Sequence, residues 1–562
     1  MADAPVYVLG TGLSHNGSAV LLKDGQICVG IEKERITRRK HDGGNDSDAI
    51  RYCLDAEGIT LADVALVVQS ANFEVPPRDR FHGSRLFAGA HPPLLSISHH
   101  LAHAWSAAGT TPFADCAIMV IDGCGSPASQ CTDIADASVL LEDPSHIGGM
   151  WCEKDSFYHF DGRNVVPLAK DFSPIVEKTA DTVRMPTTQH SIGGFYSAVS
   201  HYVFGNLDDA GKLMGLAPYG KPGAIADPAF AIRDGRLFVE EAWKLALDRP
   251  SAGYADFRAS FQYYADIAFW AQQQVEQAVA ALFHARQQRF PTERICYTGG
   301  VALNAVANAR LLDDGVVREL YMEPAAGDNG LALGCAFYGW MHVLGREKVP
   351  HDGSTCFGKS YTSAEIREAL ADAPAEWEIA ELPTEQLIDR VATLLADGKT
   401  IGWFRDGCEF GPRALGHRSI LAHPGVEGIG DHINANIKFR EDFRPFAPAI
   451  LPEFAETCFE SGRDSPYMIL VDRTKPEHRA ALRNVTHVNG SARVQTVDPR
   501  WNAAFFELIR AFHALSGIPV LLNTSFNKRG MPIVERPEEA VALFAECALD
   551  ALVLQDVLIV KR

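Results

Sequence analysis

The chain has 562 residues, too many for one hydrophobic core; at about 100–200 residues per domain, two to four units are expected. It is 47% hydrophobic and 22% charged, an ordinary globular composition, with 71 acidic against 52 basic residues and a net charge of −19. A surface that acidic repels phosphate backbones, which argues against nucleic acid as a partner.

The opening MADAPVYVLGTGL has no secretory-signal architecture, and no apolar run approaches the ~20 residues of a bilayer span. Twelve cysteines without a C-x-x-C pair argue against zinc ribbons and dithiol redox sites, so a reducing, cytoplasmic location is expected. Residues 6–36 read as strand, glycine-bearing loop, strand, tight KDG turn and strand, with His15 in the first loop. LLSIS at 94–98 is a short strand feeding the helical HHLAHAWSAA. In that helix His99 and His103 stand at i and i+4, so both imidazoles leave one face, while His100 points elsewhere. CAIMVIDGCG at 116–125 is an apolar run ending in Asp-Gly, the pattern of a buried strand delivering the Asp122 carboxylate to a site. A long amphipathic helix at 260–289 leads into RICYTGG, a strand closing on Gly299 and Gly300, and then the helix VALNAVANARLL. ELYMEPAAGDNGLALGCAFYGW repeats strand, loop and helix, with Asp328 in the loop. Near 350 the pattern resets in a polar Gly/Ser/Thr-rich stretch, which sets a boundary between domains 1–350 and 351–562. A helix at 385–397, strand TIGWF at 400–404, a Gly-Pro loop and further helix–strand pairs follow, so α/β layers are expected in both domains.

His99, His103, Asp122 and Asp328 make a set of two nitrogens and two carboxylates that suits a divalent iron, zinc or manganese ion, with ferrous iron favoured. By itself the H-x-x-x-H spacing describes histidines satisfied in a core equally well. Gly299 and Gly300 let backbone N–H groups approach a nucleotide, and the helix that follows Asn304 favours an anion at its N-terminus. Lys212, in GKLMGLAPYG just after Asp208-Asp209, is placed to pair with phosphate. Three blocks mark the second half: Glu409 to Arg418, which exposes Arg413; residues 436–448, with Lys438, Arg440 and Arg444; and residues 523–532, with Asn523, Ser525 and Asn527. Arginine forks bind phosphate bidentately, and Ser, Thr and Asn supply neutral donors around them.

The N-terminal strand–loop–hairpin, the strand ending in Asp-Gly, and TGGVALN at 298–304 together resemble the actin-like ATPase (ASKHA) superfamily. Within it, HHLAHA and TGGVALN look like the threonylcarbamoyl-transfer subunit and its hydrogenase-maturation relative, whose H-x-x-x-H pair and downstream aspartate hold metal. That resemblance implies His99, His103 and Asp328 as ligands, with Asp122 matching the carboxylate of the small-molecule enzymes. GKLMGLAPYG, the EKERITRRKH block at 32–41 that contains Lys40, and all three C-terminal blocks resemble the NodU/CmcH-type O-carbamoyltransferases, over nearly the whole chain. The T-S-x-N-x-x-G-x-P run also resembles the YrdC-like family, with Phe526 where alanine is usual.

These resemblances imply an actin-like metal- and nucleotide-binding transfer domain followed by a YrdC-like α/β domain. The latter would make carbamoyl-adenylate from carbamoyl phosphate and ATP with magnesium; the former would pass the carbamoyl group to a hydroxyl of a small molecule, such as an antibiotic or other natural product. His15, Asp209 and Lys212 are the implied catalytic residues, and Gly299, Gly300, Asn304 and Lys40 the implied lining of the nucleotide or acceptor cleft. Arg413, Arg418, Lys438, Arg440, Arg444, Asn523, Ser525 and Asn527 are the implied ATP and carbamoyl phosphate ligands. Since every basic block lies beyond 400, the second domain is expected to be chemically self-contained. No nucleic acid or membrane partner is expected, and a homodimer is the assembly considered. Four rivals are weighed: transfer of threonylcarbamoyl to tRNA, hydrogenase maturation, an actin-fold sugar kinase, and a nucleotide- and metal-binding regulator that would bind ATP without turning over carbamoyl phosphate. The acidic net charge counts against the first. The absence of a C-x-x-C zinc segment counts against the second, and the third leaves the arginine blocks unexplained.

Overall fold

The computed structural model describes residues 4–44, 46–70, 92–131, 133–134, 151–174 and 191–561. Its two compact units are Met1–Lys33 with His41–His351, and Glu34–Lys40 with Asp352–Arg562.

The first unit has two five-stranded sheets. In one, β1 (Tyr7–Gly12), β2 (Ser18–Lys23), β3 (Gln26–Glu32), β4 (Val64–Ser70) and β5 (Leu94–Ile97) run in the order β3-β2-β1-β4-β5. β1 to β3 are antiparallel neighbours, while β4 and β5 run parallel to β1. The other contains β6 (Cys116–Ile121), β7 (Trp151–Phe160) and β8 (Val165–Pro174). The pair β9 (Phe230–Arg233) and β10 (Arg236–Val239) lies outside it, and β11 (Arg294–Thr298) with β12 (Glu319–Met322) completes the order β12-β11-β6-β7-β8.

The helix His99–Thr110 is buried at all twelve residues and packs on the helix Leu331–Phe337. The small residues in both explain how they come so close: a Cβ on Gly334 would stand 1.7 Å from the Ala102 carbonyl oxygen, and one on Gly10 of β1 would stand 1.9 Å from that of Ala332. This packing brings the first turn of one helix to the N-terminal end of the other, beside the end of β6.

The second unit is an eight-stranded mixed sheet. Its elements are β13 (Trp377–Glu381), β14 (Ile401–Phe404), β15 (Arg418–Ala422), β16 (Ala447–Ile450), β17 (Val471–Arg473) and β18 (Ser491–Arg493), then β19 (Gln495–Thr496), β20 (Val520–Ser525), β21 (Ala551–Leu554) and β22 (Val557–Lys561). The order is β13-β22-β21-β14-β15-β20-β16-β19, with β17 and β18 paired separately. Both faces are covered, so the strands read as continuous apolar runs. Trp403 packs into a core with the helices Thr384–Ala396 and Ala503–Ser516, and its neighbour Phe404 into another with Ser363–Ala369 and Pro537–Glu546. Phe526 lies in that second core, its ring against Gly402. The departure from the YrdC-like pattern at this position therefore fills core space, away from any nucleotide.

The expected self-contained C-terminal domain needs one correction. Residues Glu34–Lys40, from the N-terminal part of the sequence, belong to the second unit. Arg35 and Arg38 tie them there through backbone carbonyls of residues 411, 532 and 533. Lys40 is accordingly moved out of the first unit's nucleotide cleft.

Candidate functional site

In the first unit, His99, His103, Asp122 and Asp328 each offer one ligand atom, and the four atoms lie within 4.8 Å of one another. His99 Nε2 is 3.0 Å from Asp122 Oδ2, 3.5 Å from Asp328 Oδ1 and 3.2 Å from His103 Nε2. The i, i+4 spacing aims both rings the same way, β6 ends at Asp122, and the turn Asp328–Gly330 starts the helix Leu331–Phe337. His100 turns away, its Nδ1 2.7 Å from Ser156 Oγ. The carboxylates are themselves oriented: Gly300 N–H donates to Asp122 Oδ1 (3.0 Å) and Ser14 Oγ to Asp328 Oδ2 (2.6 Å).

Burial opposes charge on His99, but Asp328 and Asp122 outweigh it and raise its pKa to about 10. Burial and the neighbouring His99 charge push His103 down to about 4. Two imidazole nitrogens facing each other, backed by two carboxylates, need a positive charge between them. A proton can supply it, and so can a divalent cation, for which this compact, buried N2O2 set is a fitting donor set.

Gly299 has φ +90°, and a Cβ there would stand 2.3 Å from the Ile121 carbonyl oxygen, so glycine is required where β11 meets β6. Asn304 is spent locally. Its Oδ1 accepts from Ala307 N–H and caps the helix Ala305–Asp313, and its amide exchanges hydrogen bonds with Gln272. Its expected role as a nucleotide ligand is therefore corrected to that of an N-cap. Near the metal set, His15 Nε2 lies 3.0 Å from Asp208 Oδ1, and that hydrogen bond is the main cause of the raised His15 pKa. Asp209 instead pairs with Lys212 at 2.7 Å, and Lys212 also lies over the Phe204 ring. The acid beside His15 is thus Asp208 rather than Asp209, because the turn Leu207–Asp209 sends consecutive side chains in different directions.

In the second unit, Lys438 (3% exposed) donates to Asn527 Oδ1 at 2.6 Å, to Ser525 Oγ at 3.1 Å and to the Ser525 carbonyl. Burial holds its pKa far down, reinforced by Arg440, Arg444 and Lys40. Burial and Arg444 lower Arg413 to about 10, while Arg440 and Arg493 are depressed by burial and by the surrounding arginines. Glu441 forms ion pairs with Arg444 (3.6 Å) and Arg529 (3.2 Å). The Nε atoms of Arg413 and Arg493 have no hydrogen-bond partner among the described residues. Basic groups gathered this closely repel one another, and a bound anion would relieve that repulsion.

Both halves of the chain match carbamoyltransferase family models: residues 8–76 and 79–337 match the carbamoyltransferase N-terminus, and 392–561 the C-terminus. The chain belongs to the carbamoyltransferase family. It is 32% identical to nodulation protein NolNO of Sinorhizobium fredii, over 98% of this chain and 79% of that one. It is 31% identical to an uncharacterized protein of Synechocystis over 99% and 97%, and 33% identical to the 3'-hydroxymethylcephem-O-carbamoyltransferase of Amycolatopsis lactamdurans over 62% and 64%. Against the solved structure of T. kodakarensis HypF the TM-score is 0.34 at 15% identity, covering 61% of this chain and 50% of that one.

Two of the carbamoyltransferase's expected anion ligands do other work. Arg418 is fully buried over the Phe404 ring and donates to the carbonyls of Arg405, Asp406, Gly407 and His417. Asn523 donates to Ala414 O and Gln495 Oε1, holding the loop that carries Arg413. Both are corrected from ligands to supports. Conversely, the sequence expectation missed Arg493, which sits in NGSARVQ with no Gly-Pro or Thr-Ser-x-Asn element beside it. It also missed Asp208 and Ser14, although each adjoins a residue it had singled out.

Proposed function

We propose that this carbamoyltransferase works in two steps: in the second unit carbamoyl phosphate loses its phosphate to water and the resulting carbamate attacks ATP, with magnesium, to give carbamoyl-adenylate and pyrophosphate, and the first unit passes the carbamoyl group to a small-molecule hydroxyl, releasing AMP. The observation that carries this reading is the cluster of Arg413, Lys438, Arg440 and Arg493 with Arg444 beside them: burial and the neighbouring cationic charges, that of Arg444 included, depress the pKa values of the first four. An acyl phosphate beside a triphosphate brings enough negative charge to offset five cations. Adenylation makes chemical sense, because carbamate is a poor electrophile and AMP a good leaving group. Lys438 and the arginines would hold the phosphates and offset charge on the departing pyrophosphate. Ser525 and Asn527 set the position of the Lys438 ammonium.

In the first unit, His99, His103, Asp122 and Asp328 would hold a divalent ion, ferrous iron being favoured. Such an ion supplies Lewis acidity toward the carbamoyl oxygen or adenylate phosphate. His15, held through Nε2 by Asp208, would accept the proton from the attacking hydroxyl at Nδ1. The similarity to a cephem carbamoyltransferase and to nodulation proteins supports a small-molecule acceptor of the natural-product kind. The test is incubation of the chain with ATP, carbamoyl phosphate and a pooled hydroxyl library, read by mass. Pyrophosphate release that needs carbamoyl phosphate, with a 43 Da gain on one acceptor (roughly, for replacement of H by a carbamoyl group), supports the reading; ADP formation instead would favour a kinase.

A further inference from the structure

Residues Glu34–Lys40 belong to the second unit, which carries the cation cluster, yet they come from the N-terminal part of the sequence. The segment is held by backbone carbonyls of two loops. Arg35 is buried (1% exposed) and donates through NH2 to Gly411 O at 2.6 Å, two residues before Arg413. Arg38 forks: NH1 donates to Ile533 O at 2.7 Å and NH2 to Pro532 O at 2.9 Å, while NH1 also stands 3.2 Å from Glu539. Pro532 and Ile533 close the loop that begins at Ser525 and Asn527, and Asn527 Nδ2 is tied into the same loop through Met531 O (2.6 Å). One arginine therefore grips the loop presenting Arg413, and the other grips the loop presenting the two side chains that hold Lys438.

We infer that the segment Glu34–Lys40 is a structural part of the activation site, and that Arg35 and Arg38 are positioning residues that set the Arg413 loop and the Ser525–Asn527 loop at the spacing the anions require. The geometry supports this reading on three counts. A guanidinium presents its N–H groups in a rigid planar fork, which fits two adjacent carbonyls at once. Loops bearing several like charges repel one another, so each needs an outside tether. The charge of Lys40 also lowers the Lys438 pKa, so the end of the segment lies within electrostatic reach of the site. The inference rests on the activation reading only for its kinetic consequence; the tethering stands without it.

The experiment uses the full chain with Arg38→Ala, Arg38→Lys and Arg35→Lys, and with Lys438→Ala as a control for direct anion binding. Circular dichroism and metal content establish that each variant is folded. Amide hydrogen exchange is then followed in 411–418 and 527–534, with the interior strand 401–404 as reference. Arg38→Ala should speed exchange in 527–534 by about tenfold or more, as expected for two lost charge-assisted bonds, and leave 401–404 unchanged. The half-saturating carbamoyl phosphate concentration for pyrophosphate release should rise about tenfold, with the maximal rate falling less than about threefold. Arg38→Lys keeps the charge facing Glu539 but cannot fork, so it should recover only part of the loss. Arg35→Lys should show the same pattern in 411–418. If the wild-type chain releases no pyrophosphate, the activation reading fails, and the exchange data still test the tether. Wild-type exchange in both loops, or an unchanged carbamoyl phosphate requirement in folded Arg38→Ala when Lys438→Ala is inactive, would overturn the inference.

Discussion

Replacing Arg418 by methionine should destabilise the second unit rather than remove a ligand. The guanidinium makes one short bond at 2.7 Å to Arg405 O, one at 3.1 Å to Asp406 O and two long ones at 3.3 and 3.4 Å to His417 O and Gly407 O. It also lies 3.5 Å from the centroid of the Phe404 ring. Hydrogen bonds from a charged donor contribute about 1.5–3 kcal/mol each, and a desolvated cation–π contact about 2 kcal/mol. Counting only the two good bonds and the ring contact, and offsetting part of this by the relief of no longer burying a charge, gives a loss of about 3–4 kcal/mol. With a urea dependence of about 2 kcal/mol per molar for a unit of this size, the midpoint should fall by roughly 1.5–2 M. Urea unfolding followed by hydrogen exchange at β14 and β15 amides reads the second unit separately. An Arg418→Met chain that unfolds within about 0.3 M of wild type but makes no pyrophosphate would refute this reasoning and return the guanidinium to the anions.

Arg493→Ala and Arg413→Ala should each reduce carbamoyl phosphate-dependent pyrophosphate release by at least about a hundredfold, as loss of a phosphate-holding charge does. Metal content, measured by plasma emission, should stay at the wild-type level. His99→Ala and Asp328→Ala should do the reverse, losing bound metal and acceptor carbamoylation while pyrophosphate release persists; full metal occupancy in both would remove the ligand assignment. Burial raises the Glu323 carboxyl to about 8, against 4.5 for the exposed group. The folded chain therefore binds the extra proton between those values, and its contribution to stability is full below pH 4.5 and lost as pH rises through 8. Glu323→Gln should flatten that part of the pH–stability curve, leaving the variant on the order of 3–4 kcal/mol more stable than wild type near pH 7.5; parallel curves from calorimetry would contradict the burial argument.

Much of both sites was legible in the sequence because it is local. The i, i+4 spacing of His99 and His103 defines a shared helix face whatever surrounds it, and an apolar strand ending in Asp-Gly delivers Asp122 to its C-terminal end. The clustering of Lys438, Arg440 and Arg444 within seven residues likewise needs no tertiary information to suggest an anion site. The direction of individual side chains was decided only in three dimensions. Arg413 and Arg418 stand in one block, but β15 begins at Arg418 and points its side chain into the core, while Arg413 stays on the loop before it. Asn304 could face a nucleotide or cap its helix, and the first-turn N–H of Ala307, from which its Oδ1 accepts, settled it. Arg493 joins Arg413, and Arg35 reaches Gly411, across 80 and 376 residues of sequence (493 − 413 and 411 − 35). Periodicity reports which face a residue occupies; it carries no record of which distant carbonyl or charge that face meets, because that partner is chosen by the packing of whole elements.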